Sequence, residues 1–332
     1  SETMHFAQSP YRIQEQPLYK QADIVHLHCM INNFLDYPSF FANADKPIVW
    51  TLHDMTPFTG GCVYSEGCEG FVNDCSNCPQ LQGTENPEYA SYTLQVKRQA
   101  LLNFKKMVIV SPSLWLLNLS KKSALFGSFR HEHIPYGIDS EVFQPRDKAY
   151  SKTLLGLPLD KPVLLFVSHY VHNQRKGYRH LLQAFENLNL REKLTLCAIG
   201  AKNADSNGGG IVELGSITDE RLMSVAYSAA DVFVIPSIED NLPNTIIESL
   251  LCGTPVIGFP TGGVPEMIEH GKNGLLCEQI SPDALGEGIK NFLEAPSKFE
   301  RDIIRKDALR KYDSTIQLDT YRRIYEELSE TM

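Results

Sequence analysis

Residues 231–274 read DVFVIPSIED NLPNTIIESL LCGTPVIGFP TGGVPEMIEH GKNG, and this stretch decides the fold. Asp231 to Ile235 is a short β-branched and aromatic run, which predicts a buried strand closed by Pro236 and Ser237. Asn244 or Thr245 offers an N-cap, and Ile246, Ile247, Leu250 and Leu251 follow at helical spacing. Gly253 stops that helix, Pro255 prevents its return, and Pro255 to Phe259 is the next strand. Strand, loop, helix, strand is one turn of a parallel α/β sheet, in which ligands sit beyond the carboxyl ends of the strands. The loop 237–244 lies at that edge and carries Glu239, Asp240 and Asn241, with Glu248 one helical turn further on. Backbone N–H groups at the helix start would face an anion, and acids beside an anion suggest hydroxyls to be held, as on a sugar or ribose. Thr245 and Glu248 also fit a capping box, in which Glu248 would only satisfy the helix start.

Ser237 to Glu248, then Cys252 to Val256, Gly262 to Glu266 and Asn273-Gly274, resemble the signature of glycosyltransferase family 4. The resemblance implies a retaining enzyme of the α/β GT-B fold, with two Rossmann-like parallel-sheet domains facing a cleft and a nucleotide-sugar donor. The family's Glu-x7-Glu motif falls on Asp240 and Glu248. Asp stands where the first Glu would be, and Glu239 lies one residue upstream. By resemblance Glu248 holds the ribose hydroxyls and Asp240 the transferred sugar, with Asn241 and Leu242 beside them on the donor side.

Working back along the chain, Lys161 to Ser168 is a continuous apolar strand, and Arg175-Lys176-Gly177 opens the helix after it. Basic residues and Gly between strand and helix suit a phosphate. The family grips the donor diphosphate with an Arg just after this strand and a Lys before the Gly. Lys176 matches the Lys, His169 stands where the Arg would be, and Arg175 is the substitute. Leu194 to Ile199 is another strand, closed by Gly200. By resemblance the base lies near Gly200 and residues 213–215. Helices are expected at about 219–230, 282–294, 298–311 and 315–330.

The segment Ile134-Pro-Tyr-Gly137-Ile-Asp139 resembles the family's hinge. It divides the chain into a first domain at 1–140, a donor-binding domain at 146–312 and a last helix at 313–332 that crosses back to the first. In the first domain Asp23 to His28 and Lys46 to Leu52 read as strands, with His26 and His28 on one face. His53 follows the second strand, where the family places a His facing the donor sugar, and His28 is a candidate on the acceptor side. The first glycine is Gly60, so the family's opening strand and glycine-rich loop have no counterpart here. The first domain is therefore expected to be incomplete, with a segment upstream.

Cys62, Cys68, Cys75 and Cys78 fall within seventeen residues and close on a C-x2-C, a set suited to one structural zinc, or to two disulfides or free thiols. Residues 91–130 hold seven Lys or Arg and no acid. That predicts a basic face over 97–130 for anionic headgroups or a pyrophosphate-linked acceptor, or a solvated helix surface.

The 332 residues suffice for about two domains, and a net charge of −9 argues against nucleic acid as a general partner. No apolar run approaches the roughly 18 residues that span a bilayer, and no signal peptide opens the chain, so a cytoplasmic protein is expected, with peripheral membrane contact through the basic stretch.

The activity that follows is transfer of a sugar from a UDP- or GDP-sugar to a glycan or lipid-linked glycan, in surface polysaccharide synthesis. The resemblance is to the bacterial subgroup of colanic-acid type, through the HLH, TLHDM and GGC stretches. The acceptor hydroxyl attacks the face the phosphate leaves, so positioning and leaving-group stabilisation carry the rate, with His53, Asp240 and Lys176 as catalytic candidates and no organic cofactor. A non-catalytic nucleotide-sugar-binding remnant is the alternative. An NAD-dependent oxidoreductase is disfavoured, because no G-x-G-x-x-G follows a strand.

Overall fold

The structure is a computed structural model and describes residues 12–28, 35–168, 173–189, 192–200 and 210–330. His169, Cys29 and residues 201–209 lie outside the described residues. The chain divides into two compact units, Ser1–Pro135 with Asp319–Met332, and Tyr136–Leu318.

The first unit is built on four parallel strands in the order β1 (Val25–Leu27), β2 (Ile48–Thr51), β3 (Met107–Ser111) and β4 (Arg130–His133). Side chains alternate across a strand, and the two faces have separate cores. Ile48, Trp50, Met107 and Ile109 pack with Phe40, Phe41, Phe58 and Phe126 on one side. Val49, Val108 and Val110 pack with Tyr321 and Ile324 of the final helix Ser314–Glu330 on the other. Two of the helices between strands begin where a side chain takes an orphan amide. Asp36 accepts from Ser39 N at 3.0 Å to start Tyr37–Asn43, and Ser113 accepts from Leu116 N at 3.0 Å to start Leu114–Lys122.

Two expectations for this unit are corrected. Among the described residues no group of three or more His, Cys, Asp or Glu is placed to hold a metal ion. Cys62, Cys68, Cys75 and Cys78 are free thiols around a small pocket with Phe71, Pro79 and Ala90. Burial pushes the Cys62 thiol up to about 12 and the Cys75 thiol up to about 11.

The basic stretch is not one face. Lys97 is 1% exposed, and its ammonium donates to Thr56 O at 2.6 Å and Thr59 O at 3.0 Å. Arg98 donates to Asn73 O, and Arg130 pairs with Glu132 and Glu327 at 2.8 Å each. The sequence shows the charges but not that three of them hold loops and the last helix.

The second unit holds six parallel strands: β5 (Val163–Val167), β6 (Thr195–Ile199), β7 (Ile211–Gly215), β8 (Val232–Ile235), β9 (Val256–Gly258) and β10 (Gly274–Leu276). Their order is β10-β9-β8-β5-β6-β7. The chain leaves β5 in one direction through β6 and β7, then returns to β5's other side with β8. The β5/β8 junction is therefore the topological switch point, where a crevice opens beyond the carboxyl ends. Asp231 ties the amino ends of that junction. Its carboxylate accepts from Val163 N at 2.8 Å and pairs with Lys148 at 2.5 Å and Lys152 at 3.3 Å. Strands β5, β6, β8 and β9 are buried on both faces, as their unbroken apolar runs require, and the outer β7 and β10 are half-buried.

Candidate functional site

A cleft of about 380 Å³ opens in the second unit at this switch point. Ser168 follows β5, Gly200 follows β6, Ser216 to Thr218 follow β7, and Ser237 follows β8; all line it. Lys176, Glu220, Thr245 and Glu248 complete the polar lining, against Phe143, Phe166 and Met223. A concave apolar site with a few convergent polar groups is the form of a small-molecule site.

Two glycines allow the loops around it to close on one another. Gly177 has φ +68°, and a Cβ there would lie 1.8 Å from Pro236 O. The Arg175-Lys176 turn therefore presses on the end of β8, and Ile238 N donates to Arg175 O at 2.8 Å. Gly262 has φ +55°, and its Cβ would lie 1.7 Å from Asp240 O. Gly263 N donates to that oxygen at 3.1 Å, and Thr261 Oγ1 donates to Ile238 O at 2.7 Å. The acid-bearing loop is thus held from both sides by backbone contacts that a side chain at either glycine would break.

Within this frame Lys176 Nζ donates to Asp240 Oδ2 at 2.6 Å, and Arg175 lies 3.5 Å from the same oxygen. Arg175 also donates to Glu239 O at 2.8 Å. The structure therefore brings Arg175, Lys176, Glu239 and Asp240 together, but only Lys176 of these four lines the cleft. Arg175 braces the acid loop. Asn241 and Leu242 are buried beneath it at 3% and 5% exposure.

Glu248 lies on the helix Asn244–Leu251 and faces the cleft. Its Oε2 accepts from the buried Tyr227 hydroxyl at 2.7 Å. Burial raises the Glu248 carboxyl above its ordinary value, Tyr227 opposes that shift, and the nearby Glu220 adds to it. The capping-box reading of Thr245 and Glu248 is not what forms. Pro243 occupies the N-cap, and no side chain caps the helix. The expected N-cap at Asn244 or Thr245 is displaced inward because proline's fixed φ suits the helix entry.

His53 belongs to the first unit. His53 Nε2 and His28 Nδ1 are 3.0 Å apart, and burial lowers His53 to about 4, with His28 adding to the shift. His26 bridges Tyr325 OH at 2.6 Å and Thr51 Oγ1 at 2.7 Å, and burial lowers it to about 3. These rings are neutral at pH 7. Sequence reading gave no role to Ser237, which it took as the end of a strand and the start of the signature, or to Tyr227, which lies inside the expected helix at 219–230. The signal for Ser237 was its place directly after a buried strand.

Residues 161–295 match the family model described as "Glycosyl transferases group 1". The chain is 27% identical over 276 residues to the glycosyl transferase WcaC of Escherichia coli K12, assigned to colanic acid biosynthesis, covering 77% of this chain and 64% of that one. It is 27% identical over 216 residues to D-inositol 3-phosphate glycosyltransferase 2 of Catenulispora acidiphila, covering 58% and 50%. The chain thus spans less than two thirds of the length of these curated relatives. Among solved structures, sucrose-phosphate synthase of Thermosynechococcus elongatus aligns with a TM-score of 0.71 at 20% identity, covering 93% of this chain and 74% of that one. Anabaena Alr3699/HepE, solved with UDP-glucose, aligns at 0.62 and 18% identity, covering 94% and 84%. These likenesses are of fold. The likeness to the group 1 glycosyltransferases lies in residues 161–295, and the two parallel α/β sheets are those of the GT-B fold.

Proposed function

We propose that this chain binds a nucleotide-sugar in the switch-point cleft and transfers the sugar, with retention, to a glycan or lipid-linked glycan acceptor of a surface polysaccharide. The observation that carries the reading is the convergence of Lys176, the uncapped start of the helix Asn244–Leu251, and Glu248 on one cleft. A cation and a helix start suit a diphosphate, and a buried carboxylate suits a ribose hydroxyl pair. Catalysis then rests on holding the leaving diphosphate against Lys176 while the acceptor hydroxyl attacks the same face of the sugar. In the free protein Lys176 is paired with Asp240, so donor binding exchanges one oxyanion partner for another and frees Asp240 toward the transferred sugar. Relatives assigned to colanic acid and teichuronic acid biosynthesis support the polysaccharide setting. Nucleotide-sugar binding in Alr3699/HepE supports the donor class. His53 is proposed on the side of the transferred sugar.

The test is a thermal-shift panel of UDP-, GDP- and ADP-sugars, followed by calorimetry on the best donor and a radiolabelled transfer assay. One nucleotide series should raise Tm in proportion to affinity. A chain that none of the panel stabilises would end the reading. Binding without transfer to any lipid-linked acceptor would leave a nucleotide-sugar-binding protein.

A further inference from the structure

Ser237 is 1% exposed, and its Oγ has no hydrogen-bond partner among the described residues. Of the buried side-chain polar atoms in that position, it alone belongs to a residue lining the cleft. Buried hydroxyls are nearly always paired, and one left unpaired is costly, so a bare hydroxyl on a ligand cleft calls for an account.

The backbone around it is fixed. Pro236, just before it, is pressed by Gly177. Ile238, just after it, donates its N–H to Arg175 O at 2.8 Å and accepts from Thr261 Oγ1 at 2.7 Å. The hydroxyl is therefore held at the end of β8, beside the switch point, by contacts that do not use it. Its neighbours on the lining are the Lys176 side chain and Thr245, in the first turn of the helix that no side chain caps. These are all donors or positive ends. The carboxylates on the same cleft are Glu248 and Glu220. A ligand with an anionic part and a hydroxyl-bearing part would lie with its anion toward Ser237 and its hydroxyls toward Glu248.

We propose that the Ser237 hydroxyl donates to the phosphate attached to the ribose of a bound nucleoside diphosphate. This rests on the function proposed above and adds to it a neutral donor on the cleft that Lys176 and Glu248 also line. Ser237 needs no proton transfer for this role. A hydroxyl rotates to suit its acceptor, and the phosphate completes the partner it lacks.

The experiment compares wild type with Ser237→Ala. It reads the Tm of the free protein, and the Kd by calorimetry for one nucleoside with its monophosphate and diphosphate, using the base that wild type prefers. Because the hydroxyl has no partner among the described residues, Ser237→Ala should leave Tm unchanged or higher. It should weaken the monophosphate and diphosphate alike by about tenfold or more, as loss of a hydrogen bond to a charged group predicts, and leave the nucleoside unchanged. Unchanged affinity for all three would overturn the proposal, as would an equal loss for all three, which would place the hydroxyl on ribose or base. A fall in Tm of several degrees would also overturn it by showing a structural partner. If wild type itself binds none of the nucleotides, the proposed function fails and takes this inference with it. If wild type binds and Ser237→Ala binds equally well, only the inference fails.

Discussion

Replacing Glu248 by Ala should weaken nucleotide affinity by about ten- to a hundredfold, because a ribose hydroxyl loses a charged acceptor of about 1.5–3 kcal/mol. The structure sharpens that number into a pattern. Oε2 is engaged by Tyr227 OH at 2.7 Å, so the other carboxylate oxygen is the one left for ligand. Glu248→Ala also strands the Tyr227 hydroxyl, which is fully buried, and an unpaired buried hydroxyl costs about 1–3 kcal/mol of stability. Glu248→Gln retains an acceptor for Tyr227 and removes only the charge, so it should keep Tm near wild type while still losing affinity. Calorimetry with a nucleoside diphosphate and its 2′-deoxy and 3′-deoxy analogues isolates the ribose contact. Wild type should prefer the ribose form, and Glu248→Ala should not discriminate. Equal discrimination by both proteins would refute the ribose assignment even if Ala binds weakly. The pH dependence carries the same information. Burial holds the Glu248 carboxyl above its ordinary value and Tyr227 pulls it back, so Tyr227→Phe should move the acid limb of nucleotide affinity to higher pH. An unmoved limb would show that Tyr227 does not set the state of this acid.

Three further outcomes are expected. Lys176→Ala should lower transfer more than nucleotide-independent stability, whereas Arg175→Ala, which loses the brace to Glu239 O and Asp240, should lower Tm as well; wild-type rates in both variants would remove the phosphate role. Gly262→Ala puts a side chain at φ +55° with its Cβ 1.7 Å from Asp240 O, so it should cost stability by about 1–3 kcal/mol and loosen the acid loop, read by urea denaturation and protease cleavage near 240. His26 and His53 have folded pKa values of about 3 and about 4 against 6.5 in the unfolded chain, so the unfolded state binds more protons between those limits. Their share of stability is present above pH 6.5 and lost as pH falls through 6.5 toward 4. It amounts to about 2–3 kcal/mol after discounting for partial exposure, and His53→Asn should flatten the dependence of the urea midpoint over that window.

Among the described residues the apolar runs told four of the second sheet's six strands, because a parallel strand buried on both faces leaves an unbroken apolar word in the sequence; the half-buried outer strands β7 and β10 were not read as strands. Val163–Val167, Thr195–Ile199 and Val232–Ile235 fall inside the predicted segments. Arg130–His133 escaped notice because it is a polar edge strand, R-H-E-H, recognisable only by its pairing to Val108–Ser111. The site was legible as residue types at loop positions, and what stayed hidden was which group touches which. Lys97 reads as surface charge, yet its ammonium is spent on two buried carbonyls of a loop about forty residues earlier in the chain. Glu248 reads equally as cap or ligand from local sequence; it does not cap the helix, and one of its oxygens accepts instead from Tyr227, twenty-one residues upstream. In each case the deciding partner is remote in sequence, and local propensity carries no information about it. Gly262 stands at the boundary between the two kinds of evidence. A Thr-Gly-Gly turn predicts flexibility, but the turn at 261–263 is instead the rigid backstop of the acid loop, because only a residue without Cβ can lie against Asp240 O.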